Sequence, residues 1–443
     1  MGHPQWQIDR FPDAEGIRRA TAKQLLVTQP RRSTLWYAGL SAYWFATSYK
    51  WFILLLAVLP GQVNAIVPGG EKNTAWGMVF MIGAVWAVVG PSVFGYLSDR
   101  FTSQRGRRRP FIAIGAAATV VSLAILAGAN QLWMLVVGYL LLQVSDDVGT
   151  GPYSALIPDV VAESDRGKAS GWMGLMQLVG HFCSAIVGAL LGSVVLIYVG
   201  IAVVNVLCAL WVLALLRGVD VASERPAETP ASFKEFLVGW KAPWASRDFR
   251  WVWFTRFLNA LGFYMVQPYL RNYLEDVVKE FRIFGIAVGD GQTATLVIGL
   301  TISVLGAVGA GWAAKASDRI GRKRVIYSGG TLMAAVLVPI AFIPNYTVIW
   351  CLALGFGFGY GAFLSADWAL VSDVLPDKEA SGKDMGVWQS SISSVQIFAG
   401  GFGRVIDWGN RLQFGLGYSM TLVGAAVVFF IGTVLVRQVK GST

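Results

Sequence analysis

Residues 98–110 read SDRFTSQRGRRRP, and residues 317–325 read SDRIGRKRV. Each opens Ser-Asp-Arg, passes through a glycine and carries a cluster of arginine and lysine. The two openings lie 219 residues apart. A second pair of stretches, RGKASGWMG from Arg166 and SGKDMGVW from Ser381, sets Lys168 and Lys383 215 residues apart. The difference is the TSQR present only in the first loop, so one four-residue insertion reconciles both matches. The chain therefore reads as two parallel copies of one unit.

What surrounds these loops says what the unit is. Of the 443 residues, 55% are hydrophobic and only 14% charged, against about 25% charged in a soluble domain. Apolar runs of about 20 residues recur along the whole sequence, each long enough for a ~30 Å hydrocarbon core. A β-barrel would show short alternating segments instead. The runs fall near 35–59, 76–97, 110–129, 132–156, 169–191 and 193–216, then 250–273, 293–316, 325–343, 346–371, 384–404 and 414–436. This predicts an all-α membrane protein of twelve transmembrane helices in two pseudo-symmetric six-helix bundles. Its parts are an N-terminal segment 1–34, bundles at 35–216 and 250–436, a polar linker 217–249 and a tail 437–443.

The net charge of +10 is explained by topology rather than by nucleic acid. With the N-terminus inside, 28 of the 36 lysines and arginines fall on inner segments and 6 on outer loops, with Lys50 and Arg256 within spans. By the positive-inside rule both termini are cytoplasmic, in a plasma membrane or bacterial inner membrane. The polar, basic N-terminus has no apolar stretch behind it, which argues against a cleaved signal peptide. Cys183, Cys208 and Cys351 sit in apolar runs without metal or disulfide spacing and are expected to be buried thiols. No G-x-x-x-x-G-K-[S/T] occurs, so no ATP motor is expected. Neither an enzyme signature, a metal motif nor a cofactor motif is present.

Charges at span centres cost about 2.5–3.5 kcal/mol each on insertion scales and usually face a cavity or a partner. Lys50 lies past the middle of the first span, and Asp146 and Asp147 past the middle of the fourth. A Lys50–aspartate pair would neutralise two such charges. Adjacent helical residues point about 100° apart, so the two aspartates have different surroundings. Asp147 shares a polar stripe with Gln143, Thr150 and Ser154 and is expected in the cavity. Asp146 is expected against a neighbouring helix. Two close carboxylates favour retention of a proton by one of them, which suits a proton carrier. Gln177 and His181 share a face of span five; His181 and Gln396 are 215 residues apart, and Gln389 and Gln396 share a face of span eleven. Arg256, Asn259, Tyr264 and Gln267 lie along span seven. Arg256 has Asp367 of span ten as a candidate partner, and Tyr264 and Trp51 are candidate platforms for a substrate.

GYLSDRFTSQRGRRRP (95–110) resembles the loop signature of the major facilitator superfamily. Its longer form, with TSQRGRRRPFI, and PYSALIPD (152–159) resemble the sucrose–proton symporters and the glycoside–pentoside–hexuronide group. The resemblance implies a central cavity between two halves that rock about a site at mid-membrane. It also implies a cytoplasmic gate around Asp99, Arg100, Arg107, Arg109 and Asp318, to which Arg319, Asp159 and Asp373 belong by position. Arg105 and Arg108 are expected to be surface charges that set topology. Within that group Gln143 stands where the coupling aspartate is found, Ser154 where an arginine holds the sugar, and Thr150 where melibiose-type relatives bind a cation. The implied function is proton-coupled sugar symport, disaccharide or glycoside, with sodium as an alternative ion. The partners would be the lipid bilayer and one small molecule, and the chain would be a monomer. Transport or export of amphipathic organic compounds or lipids is the alternative. A non-transporting receptor of the same fold is disfavoured by the retention of both gate loops.

Overall fold

The computed structural model describes residues 32–440, except 68, 102, 104–105, 155, 157–159, 162–164, 218, 220–240 and 375–380. The first copy of the repeat forms α1 (Thr34–Ile66), α2 (Lys72–Arg100), α3 (Arg109–Ala127), α4 (Leu132–Ser154), α5 (Arg166–Leu190) and α6 (Val194–Leu215). The second forms α7 (Arg247–Val266, prolonged in irregular turns to Val278), α8 (Gly291–Ile320), α9 (Arg322–Phe342), α10 (Tyr346–Val374), α11 (Ser381–Ala399) and α12 (Leu416–Leu435).

The packing obeys the repeat. In the first bundle α2 and α3 pack on α4, α5 and α6 on α1, and α3 on α6. The same five pairings recur as α8 and α9 on α10, α11 and α12 on α7, and α9 on α12. The loops that revealed the repeat turn in the same way. Gly106 has φ 95° and Gly321 has φ 91°, a left-handed geometry that only glycine adopts without a side-chain penalty. The first helix of each bundle also contains a π-helical turn, Leu54–Val58 in α1 and Leu274–Val278 in α7. Such turns are rare and cluster at functional positions.

Among the described residues, ten helices are long and apolar enough to cross a bilayer by composition. The remaining two, α7 and α11, fall short because they carry the polar groups. Arg247, Asp248, Arg250 and Arg256 lie in α7, and α11 is rich in serine and glutamine. A helix this polar is tolerated where its polar face is turned to protein or to a cavity.

Several boundaries differ from those read in the sequence. Span one runs on to Ile66 because Pro60 sits at the start of a new turn that continues the helix past the π segment. Span seven runs past Pro268 through a 3₁₀ turn, Gln267–Tyr269, where proline supplies no N–H for an α-helical bond. Span eleven ends at Ala399, and Gly400–Gly401 lead into a separate amphipathic helix, Phe402–Leu412. A short hairpin, Arg282–Ile283 against Ile286–Ala287, caps the loop after α7. The cysteines are less buried than expected: Cys183 and Cys208 are half-buried and Cys351 is exposed.

The bundles meet along two seams, α2 on α11 and α5 on α8. In the first, glycine faces glycine. A Cβ at Gly77 would lie 2.1 Å from Gly400 O, and one at Gly403 2.0 Å from Asn73 O. Small residues let the two backbones touch, which is how helices associate where no water drives them together.

Candidate functional site

The seam is sealed at the end opposite the basic loops. Asp407, on the amphipathic helix after α11, accepts from Asn73 Nδ2 at 2.9 Å and from Thr74 N and Oγ1, both at 2.7 Å. Asn272 Nδ2 donates to Asn73 Oδ1 at 2.7 Å, and Asn64 Nδ2 donates to Asn272 Oδ1 at 2.8 Å. Lys72 pairs with Asp276 at 2.5 Å, and Arg411 with Glu71 at 2.9 Å. Arg271 donates to Ala57 O in the π turn of α1, and it fits because Gly61 has no side chain. Gln292 Nε2 closes the α5–α8 seam by donating to Gly188 O at 2.7 Å. Every one of these bonds joins residues of different bundles.

At the basic end two loop arginines bond to groups of their own bundle. Arg108 donates to Ser98 Oγ and to Gly95 O, and it is only 2% exposed. It is thus a buried structural group, not the surface charge expected, because its guanidinium reaches back under the C-terminus of α2. Arg322 pairs with Asp373 and donates to Ala369 O at 2.5 Å, tying α9 to α10. Arg319 is exposed. Arg107 and Arg109 sit at the start of α3, engaged by neighbours. Asp99, Arg100 and Asp318 end α2 and α8, but their side chains, like Arg105 and Asp159, lie outside the described residues.

Among the described residues, each bundle has one buried ion pair deep in its helices, joining its first helix to its fourth. Lys50 of α1 bonds Asp146 of α4, and Trp51 Nε1 donates to the other oxygen of Asp146 at 2.6 Å. Arg256 of α7 bonds Asp367 of α10 at 2.5 Å, and its second nitrogen donates to Gln389 of α11 at 2.9 Å. The guanidinium also lies 3.6 Å from the Trp388 ring centroid. First and fourth helices are thus locked in both halves by a cation and a carboxylate. Breaking a buried pair by removing one partner typically costs about 3–5 kcal/mol.

Asp147 has different company. Gln143 Nε2 lies 3.3 Å from both of its oxygens. The carboxylate is seated against α2, where a Cβ at Gly90 would fall 2.3 Å from Oδ2. It is 3% exposed, so it is not on an open cavity wall as the polar stripe suggested. Thr150 and Ser154 direct their hydroxyls to the backbone of α4 itself, at Asp146 O and Thr150 O. Asn259 is also away from the cavity: it donates to Thr255 O at 2.9 Å and packs on Gly432 of α12. Gln177 is half-buried on α5. Gln396 Nε2 donates to the Tyr264 hydroxyl at 2.9 Å, bringing α11 to α7.

A cavity of about 450 Å³ is lined by α7, α8, α9, α10 and α12 of the second bundle and by α1 and α5 of the first. Phe52, Leu56, Phe263, Ile302 and Phe356 are typical of its wall. Among the described residues its polar side chains are His181, Gln267, Tyr273, Ser303 and Tyr360, and no charged residue lines it. Sequence reasoning found His181 and Gln267 but missed Ser303 and the aromatic wall from α10. It also missed the sealing network, whose asparagines and Asp407 look like ordinary loop residues until the two bundles are brought together.

The chain matches the Major Facilitator Superfamily model over residues 45–401 and belongs to that superfamily of transporters. The multidrug resistance protein MdtG of Proteus mirabilis is 24% identical over 353 residues, 77% of this chain and 82% of that protein. The class G tetracycline resistance protein of Vibrio anguillarum is 29% identical over 141 residues, 32% of this chain and 34% of its own length. The sucrose transport protein SUC4 of Arabidopsis thaliana is 28% identical over 151 residues, 30% of this chain and 29% of its own. The chain thus spans about a third of the first curated relatives it matches. Solved transporter structures share the fold. The nucleoside transporter NupG superposes with a TM-score of 0.68 at 15% identity, covering 92% of this chain and 99% of NupG. A bacterial homolog to the human lysosomal transporter Spinster, inward-facing and unoccupied, superposes at 0.70 with 13% identity, covering 92% and 98%.

Proposed function

We propose that this chain is a secondary active transporter of amphipathic organic compounds, coupled to protons and working by alternating access. The observation that carries this reading is the cavity, whose wall is aromatic and aliphatic with a few polar groups and, among the described residues, no charge. A disaccharide presents hydroxyls on every face and needs many paired donors and acceptors, because each buried polar group left unpaired costs about 1–3 kcal/mol. An apolar wall with sparse polar points suits a compound that is itself largely apolar. The likeness to MdtG over most of both chains points the same way.

In this reading the basic loops face the cytoplasm and the sealed end faces outward. The two ion pairs keep each bundle rigid while the seams exchange. Asp147 is the proton carrier: the Gln143 amide and the Trp86 indole beside it are both neutral, so it can gain and lose a proton without breaking an ion pair. The test is transport in proteoliposomes under an imposed pH gradient. Movement of lipophilic dyes with proton flux supports the reading; their exclusion, with proton-linked sucrose or melibiose uptake, overturns it. Sugar symport is the second reading, favoured by the likeness to SUC4 and by the amides of Gln143, Gln389 and Gln396 deep in the helices.

A further inference from the structure

The cavity has a polarity of its own, which follows from where its few protons are. Ser303 Oγ donates to Gly299 O, one turn back on α8, at 3.0 Å. With that hydroxyl's one proton on Gly299 O, its 3.2 Å contact with His181 Nδ1 takes the imidazole as donor. A neutral histidine that carries its proton on Nδ1 leaves a bare lone pair on Nε2. Phe52 stacks on the same ring, with centroids 4.5 Å apart and planes 24° apart, and fixes its orientation. The second polar group is Gln267, at the 3₁₀ break before Pro268. Its Oε1 is buried and has no hydrogen-bond partner among the described residues. A buried acceptor on a cavity wall is one that a donor on a ligand can satisfy. Of the two tyrosines on the wall, Tyr273 already donates to Ile340 O at 2.6 Å, which leaves Tyr360 as the hydroxyl that can face a ligand.

The rest of the wall sets the shape. Phe263 and Tyr360 stack with centroids 4.7 Å apart and planes 12° apart, and Phe356 lies within 13° of the Tyr360 plane. Parallel rings on one side favour a flat aromatic body. Net charge is disfavoured in both signs. An anion would meet the lone pairs of His181 and Gln267. A cation would find no carboxylate on the wall, and Asp146 and Asp367 nearby are held by Lys50 and Arg256.

We propose that this cavity selects a flat, uncharged aromatic compound bearing an O–H or N–H donor, which it gives to His181 Nε2 or Gln267 Oε1. The inference rests on the transporter reading above and narrows its substrate class. Phenols and aryl amides belong to this class; carboxylates and quaternary ammonium compounds do not.

The test uses the purified full chain in nanodiscs and three probes of one shape: 2-naphthol, 2-methoxynaphthalene and 2-naphthoate. The native protein should bind 2-naphthol on the order of three- to tenfold more tightly than its methyl ether, the worth of one hydrogen bond, and should bind 2-naphthoate most weakly. His181→Phe keeps the stack on Phe52 but removes the acceptor, and Gln267→Leu removes the other. The gap between naphthol and ether should shrink in each and vanish in the double variant. Variants are accepted only with native elution and melting behaviour, and His181→Leu, which also removes the acceptor, serves where the phenylalanine variant does not fold. Equal affinity for naphthol and ether in the native protein, no binding of either, or a gap unchanged in the variants overturns the inference. Binding with this selectivity but without transport of any amphipathic compound would instead overturn the transport reading and leave the site in place.

Discussion

Asp407 Oδ2 accepts from both the backbone nitrogen and the hydroxyl of Thr74, each at 2.7 Å, across the seam between the bundles. Thr74 is the third residue of α2, and the residue preceding that helix, Glu71, makes no side-chain cap bond. Helix α2 is thus capped by a carboxylate from the other half of the molecule. A cap is worth about 0.5–2 kcal/mol, and this one exists only while the halves are closed at this end.

Asp407→Ala should therefore weaken the sealed state rather than the fold. In a background with the three native cysteines replaced by serine, Val63→Cys, buried beside this network, reports opening by its rate of maleimide labelling from that side. Labelling should rise about three- to thirtyfold, as expected from a loss of 0.7–2 kcal/mol. An unchanged rate at equal expression would show that Asp407 does not hold the seam.

The two aspartates of α4 should separate in their effects. Asp147→Asn should leave melting behaviour within about 1 kcal/mol of native, since an amide replaces a carboxylate that faces another amide, yet it should abolish proton movement. Asp146→Asn strands Lys50 and should cost about 3–5 kcal/mol of stability. Substrate-driven proton flux and thermal melting of both variants check this; intact coupling in Asp147→Asn removes it from the mechanism.

Gly90→Ala tests the same carboxylate without touching it. The added Cβ would meet Asp147 Oδ2 at 2.3 Å, so the side chain must move. Coupling should fall by at least tenfold while Gly95→Ala, whose Cβ would meet Gly151 O at an ordinary 3.9 Å, stays near native. Similar proton flux in the two variants would contradict a role for Asp147 in this position.

The buried pairs should behave as units. Arg256→Met alone leaves Asp367 without its cation and should cost about 3–5 kcal/mol, whereas Arg256→Met with Asp367→Leu should recover most of it. A double-mutant cycle on Tm measures the coupling. A double variant no more stable than the single would mean that Trp388 and Gln389, rather than the ion pair, anchor the arginine.

Twelve spans and their twofold repeat were legible because both are properties of local sequence: apolar length answers to the thickness of the bilayer, and a glycine turn followed by cations recurs wherever the same loop is built. Lys50, Asp146, Arg256 and Asp367 were legible as a set, because a charge in an apolar helix must have a partner. Which aspartate meets Lys50 was not. Asp146 and Asp147 differ by one residue, and only the rotation of α4 against α1 and α2 assigns one to the cation and the other to the Gly90 notch. Asn259 was misplaced on the cavity for the same reason, since helical spacing gives a stripe but not the neighbour that stripe faces.

The amino-acid sequence alone was enough for the class of fold, the number of crossings and the residues too costly to leave unpaired, since hydrophobic length and charge burial act residue by residue. The seal around Asp407, the orphan acceptor of Gln267 and the proton on His181 were decided only by tertiary structure. Each depends on groups more than 100 residues apart meeting within hydrogen-bond distance, or failing to meet. That outcome belongs to the packing of two bundles, and no local pattern contains it.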